Sequence, residues 1–376
     1  MPAQLLPPLQ QIPAEIAAVN DYEAYARPRM TANAWAYMAG GAADELTLRD
    51  NCAAFARLKL RGRVLADLRG GHTRLELFGQ SLECPIFIAP VAYQKLVHPD
   101  GEIASVLAAS AVRTGMVLST QSSSLLEEVA RHAQSPLWFQ LYIQPDRDFT
   151  RALIQRAEAA GYQALVVTVD APVNGLRNRE QRAGFVLPEG IEAINLRGMR
   201  SLHQPPGQIG SNVLFGSPLL ETAIGWADIR WLRAQTRLPI LLKGILHPED
   251  ARRAIEEGAD GLIVSNHGGR TLDTLPATLD VLAEIAQSVQ GRVPLLMDGG
   301  IRRGSDIFKA LALGADAVLV GRPCIFALAT AGALGVTHVL HLLRAELEVS
   351  MALTGCRTLS DIDRTCLWPA ASNGHI

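Results

Sequence analysis

The chain has 376 residues, 48% of them apolar and 19% charged, with a formal charge of -2. That length suits one large domain or two ordinary ones, and the near-neutral charge gives no electrostatic basis for a nucleic-acid or anionic-membrane partner. The five cysteines (Cys52, Cys84, Cys324, Cys356, Cys366) include no Cys-x-x-Cys pair, so neither a metal site nor a disulfide framework is indicated and a reducing compartment is expected.

In chain order, residues 1–20 are proline-rich and expected to be a flexible N-terminus, without the basic and apolar segments of a signal peptide. Residues 21–38 read as a helix carrying Tyr22, Tyr25, Trp35 and Tyr37, ended by Gly40-Gly41, and a second helical stretch covers about 44–55. Residues 58–68 read as extended and basic, and these pieces together suggest a cap on the larger remainder of the chain. No run approaches the roughly 20 apolar residues of a spanning helix.

From residue 85 apolar, strand-like runs alternate with helical segments eight times: 85–90, 116–120, 137–142, 164–170, 239–244, 261–266, 294–299 and 317–322. Each run is nearly continuous in Val, Ile and Leu, as in strands buried on both faces of a parallel sheet. Helices are expected over 146–160, 248–257, 276–290 and 303–313, and Gly-Ala-Asp twice leads from a helix into a strand, at 258–260 and 314–316. Eight such units fit a closed α/β barrel, (β/α)8, over residues 21–364, followed by a short tail, 365–376. About 70 residues separate the fourth strand from the fifth, and the Gly-, Pro- and Ser-rich stretch 188–225 reads as an active-site lid.

A barrel gathers its chemistry at the C-terminal ends of its strands. Those ends here carry Pro90-Val91-Ala92, Ser119, Gln140 and Tyr142, Thr168 and Asp170, Lys243, Ser265-Asn266-His267, Asp298-Gly299-Gly300 and Gly321-Arg322. His267 can move a proton near neutral pH, and Arg270 can grip a carboxylate with a planar fork. The glycines and arginines after the last two strands suit a phosphate group. Neither a P-loop nor a dinucleotide fingerprint is present.

Taken together, Ser265-Asn266-His267-Gly268-Gly269-Arg270 with Leu272-Asp273, Asp298-Gly299-Gly300-Ile301-Arg302-Arg303-Gly304, Lys243-Gly244 and Phe139-Gln140-Leu141-Tyr142 resemble the FMN-dependent L-2-hydroxy-acid oxidases and dehydrogenases, a family that includes glycolate, lactate and mandelate members. The resemblance runs from about residue 22 to 364. It implies FMN at the barrel mouth, His267 as base, and Asp170 as the carboxylate that orients it. Arg177 and Arg270 would hold the substrate carboxylate, with Tyr37 and Tyr142 bonding the substrate. Lys243 would sit by the flavin N1 and C2 region, Ser119, Gln140 and Thr168 by the ring edge, and Ser265 among the other cofactor-binding residues. Pro90, Val91 and Ala92 would lie along the ring face, Gly300, Arg302, Gly321 and Arg322 at the phosphate, and Asp298 and Gly299 also at the cofactor.

Departures from the glycolate pattern are Gln121, Tyr93 and Asn174, which make the expected pocket more polar and leave lactate or a larger 2-hydroxy acid open. Ala92 stands where members acting on aromatic substrates often carry glycine, pointing to a small-substrate oxidase that reduces O2 to hydrogen peroxide. By the same resemblance a cytoplasmic homotetramer without a membrane or nucleic-acid partner is expected. The alternative from another class is an FMN-containing isomerase on a related barrel.

Overall fold

The computed structural model describes residues 4–199, 220 and 222–368. A small hairpin, Leu75–Leu77 (β1) and Gln80–Leu82 (β2), precedes eight short strands: Ile86–Ile88 (β3), Gly115–Ser119 (β4), Leu137–Leu141 (β5), Leu165–Thr168 (β6), Ile240–Ile245 (β7), Gly261–Val264 (β8), Leu295–Asp298 (β9) and Ala317–Val320 (β10). All eight runs expected as strands are therefore strands. They pair in parallel in the order β10-β3-β4-β5-β6-β7-β8-β9 and close into a barrel, β10 meeting β3 with Val318 opposite Ile86.

Burial explains why the runs are apolar on both faces. Alternate residues such as Phe87, Val117, Trp138, Val166, Leu241 and Ile263 fill the barrel interior, while their neighbours Ile88, Met116, Phe139, Val167 and Leu262 pack beneath the surrounding helices. The hairpin closes the N-terminal end of the barrel. Its loop residues Phe78 and Gly79 both have positive φ, 50° and 73°, as a two-residue hairpin turn requires. Trp138 Nε1 donates to Gln80 Oε1 at 2.9 Å, and Phe78 meets the Trp138 ring edge-on at 5.8 Å between centroids.

Several expectations need correction. The helix expected over 21–38 is two helices, Tyr22–Ala26 and Ala32–Ala39, separated by a 3-10 turn at Arg27–Arg29. Pro28 sits in that turn, and Thr31 restarts the helix by accepting from Ala34 N at 3.0 Å. The described part of the N-terminal stretch is tied down: Leu9 N donates to Thr330 O at 2.7 Å, and Ile16 and Val19 are buried. The boundary drawn at 364 cuts through a packed turn, Arg364–Cys366, next to which Leu367 bridges Leu60. Residues 369–376 of that tail lie outside the described residues.

Most of the expected lid also lies outside them, namely residues 200–219 and 221. Its described beginning is packed, since buried Asn195 accepts from Leu126 N at 3.0 Å and donates to Ser124 O at 3.1 Å. The chain also contains an apolar helix, Arg322–Thr354, that meets the length and composition of a membrane span, contrary to the sequence reading. Its most apolar window is 78% buried against the barrel, and the helix breaks at Ala331 and Gly332, so its hydropathy is that of a core element.

Candidate active site

The C-terminal ends of the strands surround a cavity of about 410 Å³. Every residue expected at the site lines it except Asp170 and Ser265, which stand directly behind lining residues. Gln121, Tyr93 and Asn174 line it too.

His267 follows β8 and is aimed by a backbone in the left-handed region. Its φ is 58°, and Gly268 and Gly269 continue at 63° and 71°. A non-glycine residue held there costs about 1 to 3 kcal/mol, so the surrounding loops must enforce it. His267 Nδ1 lies 2.9 Å from Asp170 Oδ1, which fixes the ring and leaves Nε2 as the second nitrogen. Burial alone would raise the Asp170 carboxyl, but His267 and then Lys243 outweigh it and hold it below the usual carboxylate range. Gly244 makes room for this carboxylate: a Cβ there would stand 2.4 Å from Asp170 Cβ.

Lys243, on β7, is buried and paired. Its Nζ donates to Ser265 Oγ at 2.8 Å and lies 2.9 Å from Asp298 Oδ2, while Ser265 Oγ donates to Asp298 Oδ1 at 2.7 Å. Burial would lower the ammonium, but Asp298 and Asp170 more than offset this, and the net direction is upward. Lys243 thus stays a cation. Ser265, expected at the cofactor, uses its hydroxyl on Lys243 and Asp298 and so braces Lys243.

Between β4, β5 and β6 runs an amide and hydroxyl row. Gln140 Oε1 accepts from Ser119 Oγ at 3.3 Å and Thr120 N at 3.1 Å, and its Nε2 donates to Thr168 Oγ1 at 3.0 Å.

On the opposite side, Arg177 and Arg270 are brought together by three loops. Ala43 N donates to Leu176 O at 2.8 Å, and Arg177 Nε donates to Arg270 O at 2.7 Å. Gly175 allows the close approach, since a Cβ there would meet Thr271 O at 1.9 Å. Arg270 NH1 donates to Tyr37 O at 2.6 Å and Gly40 O at 2.8 Å, and its guanidinium lies 5.0 Å from the Tyr37 ring centre. Two residues here escaped the sequence reading. Phe185 stacks on Tyr37 at 4.6 Å, and Glu180 bonds both arginines.

Burial raises the phenol of Tyr37, and raises that of Tyr142 well above its ordinary value with Asp170 adding to the effect. Both therefore remain O–H donors at neutral pH. Tyr93, tilted against Tyr37 at 6.0 Å, is pushed up to about 12 by burial.

The far end of the cavity is cationic. Arg322 NH1 donates to Gly268 O at 2.9 Å and NH2 to Gly40 O at 2.7 Å, while its buried Nε has no partner. Burial, then the nearby Arg270 and Arg302, push this guanidinium down to about 9. A cluster of guanidiniums beside Gly299, Gly300 and Gly321, with an orphaned buried N–H, calls for an anion. With the amide and hydroxyl row and the Lys243 cation at the other end, the donors fit flavin mononucleotide, an aromatic ring system carrying one phosphate.

Comparison with known proteins agrees. L-lactate oxidase from Nostoc sp. is 50% identical over 353 residues, 92% of this chain and 96% of that protein. Glycolate oxidase from Spinacia oleracea is 43% identical over 351 residues, 93% of this chain and 95% of its own length. A solved structure of mandelate oxidase with benzoyl-formic acid superimposes with a TM-score of 0.84 at 40% identity, over 94% of this chain and 98% of that one. The pattern of the FMN-dependent dehydrogenase family matches residues 26–369, and the chain belongs to that family.

Proposed function

We propose that this enzyme oxidises a small L-2-hydroxy acid, with L-lactate the first candidate, to the 2-oxo acid and passes the electrons to O2, releasing hydrogen peroxide. The observation that carries this reading is the His267–Asp170 pair at 2.9 Å in one cavity wall facing two guanidiniums in another. Similarity to L-lactate oxidase at 50% identity, together with Ala92 in the cavity wall, supports a small substrate.

Arg177 and Arg270 would bind the substrate carboxylate, and Tyr142 and Tyr37 would donate to its oxygens. His267 Nε2 would accept the hydroxyl proton as the α-hydrogen leaves with its electron pair, and Asp170 would stabilise the resulting imidazolium. FMN, when bound, supplies a two-electron acceptor. Lys243 would lie beside its N1 and C2 edge, a fixed cation where negative charge develops. A homotetramer is part of the proposal, supported by exposed apolar side chains at Val64, Leu65, Val349, Leu353 and Trp368; a monomer mass in light scattering would remove it.

The test is an anaerobic panel of 2-hydroxy acids that follows flavin bleaching, with peroxide measured in air. L-lactate should bleach the flavin, and glycolate and mandelate place the side-chain limit. His267→Ala should keep FMN while kcat falls about 10²- to 10⁴-fold. Unchanged turnover in that variant, or no bleaching by any 2-hydroxy acid, would overturn the reading.

A further inference from the structure

Glu180 takes no part in the proton and electron transfer, yet its position is central. Asp298 and Glu180 are the acidic side chains that line the cavity among the described residues, and Asp298 is spent on Lys243. Glu180 Oε1 accepts from Arg177 NH1 at 3.0 Å and from Arg270 NH2 at 3.1 Å. One carboxylate oxygen therefore joins the two guanidiniums. The three side chains are 15 to 17% exposed, so water screens them little.

Glu180 is held there by its neighbours. It lies on the short helix Asn178–Arg182, whose Arg179 bonds Glu45 Oε2, while Glu45 Oε1 accepts from Gly41 N at 2.9 Å. This clamps the loop after β6 onto residues 41–45, beside the carbonyl of Gly40 that takes Arg270 NH1. Two guanidiniums this close repel: Arg177 lowers the Arg270 guanidinium after burial does, and Glu180 opposes both.

We propose that Glu180 is a positioning and specificity-determining residue that tunes the carboxylate subsite to monoanionic 2-hydroxy acids. Arg177, Arg270 and Glu180 sum to a charge of +1, which one substrate carboxylate neutralises, while Arg322, which shares the Gly40 carbonyl with Arg270, is left to the expected phosphate. A dianion would leave an excess negative charge in a largely buried site, and such an uncompensated charge is costly. Glu180 also joins the guanidiniums before substrate arrives. The donors it leaves include Arg177 NH2, for which the structure gives no internal acceptor among the described residues.

This inference rests on the reading of the site as a 2-hydroxy-acid subsite. Its test compares pyruvate, a monoanion, with oxalate, a dianion, binding to oxidised holoenzyme by calorimetry, alongside flavin reduction by L-lactate and by tartronate, the smallest 2-hydroxy dicarboxylate. Glu180→Gln keeps an acceptor oxygen and removes the charge. The ratio of pyruvate Kd to oxalate Kd should rise about tenfold or more, and the tartronate-to-lactate ratio of kcat/KM should rise with it. Glu180→Asp keeps the charge but shortens the reach, so both anions should weaken together with the ratio near wild type.

A general structural loss would lower both affinities equally, so the ratio separates charge tuning from damage. Glu180→Ala, the second neutral variant, gives the same reading should the glutamine variant fail to fold. An unchanged ratio in a neutral variant that retains its flavin would overturn this inference alone. Wild-type holoenzyme that binds neither anion and is bleached by no 2-hydroxy acid would instead overturn the functional reading beneath it.

Discussion

Asp273 shows how far a single side chain can reach in this molecule. Its Oδ1 accepts from Thr47 N at 2.9 Å, across 226 residues, and its Oδ2 accepts from Asp44 N at 3.0 Å, so it serves the open N–H groups at the start of the helix Leu46–Arg57. Burial opposes its charge, but the backbone donors of Thr47, Leu46, Thr274 and Asp44 outweigh this and hold the carboxyl below its usual range. A carboxylate depressed in the folded state contributes stability that is present above its unfolded value, about 3.9, and is lost as pH falls through the folded one. Asp273→Asn should therefore cost about 1 kcal/mol in urea unfolding at pH 7, with the gap to wild type closing as pH falls from the unfolded carboxyl value through the lower folded one. A gap that stays constant with pH would show that the charge is not what caps the helix. The Ser265 to Asp273 stretch was legible as a site because imidazole, glycines and guanidinium after a buried strand make a poor core. Glu180 was not, since Arg-Asn-Arg-Glu-Gln-Arg reads as a solvated helical face and only the fold turns its Glu inward.

At the level of elements, the eight barrel strands could be read from sequence because each is buried on both faces and so carries an unbroken apolar run. The hairpin β1–β2 could not. Its strands are three residues each, and Leu-Glu-Leu and Gln-Ser-Leu carry too short an alternation to register. The helix Arg322–Thr354 was hidden for the opposite reason: alanines and glycines at its break dilute any single-faced period, and both faces of its first half are buried. The hairpin has a stability role separable from chemistry. Phe78 fills the closed end of the barrel beside Trp138 and Gly261, at the opposite end of the strands from the cavity. Phe78→Ala should lower stability by about 2 kcal/mol, the loss expected for a partly buried aromatic, while kcat at 25 °C stays within twofold of wild type. A large fall in kcat for the folded variant would show that the closed end communicates with the mouth.

Across the whole molecule, the site is distributed so that no single β/α unit holds all of it. Asp170 follows β6 and pairs with His267 after β8; Lys243 comes from β7 and is fixed by Asp298 from β9. This distribution explains how the sequence order of the residues could suggest the cavity, while the arginine bridge needed the loops in place. Those loops converge from residues 40–45, 175–180 and 268–271, and contacts between them depend on Gly175 and the left-handed His267 turn. Local pattern carries no signal for such convergence.

The seam where β10 meets β3 gives the barrel a last-closing joint, because Val318 must find Ile86 across most of the chain. Contacts that distant in sequence are slow to form, which makes this joint the natural late step in folding and the natural first place to open. The expected phosphate end and ring face lie on its two sides: Gly321 and Arg322 leave β10, while Pro90 to Ala92 leave β3, and a Cβ on Gly321 would stand 3.7 Å from Ala89 Cβ. A cofactor spanning them acts as a clasp, present only in molecules that have closed. Cofactor-free protein should thus expose the termini of β3 and β10 first in hydrogen exchange, and FMN at 100 times its Kd should add about 2.7 kcal/mol to unfolding, with protection concentrated at that joint. Protection spread evenly around the eight strands would show instead that the barrel opens as one body.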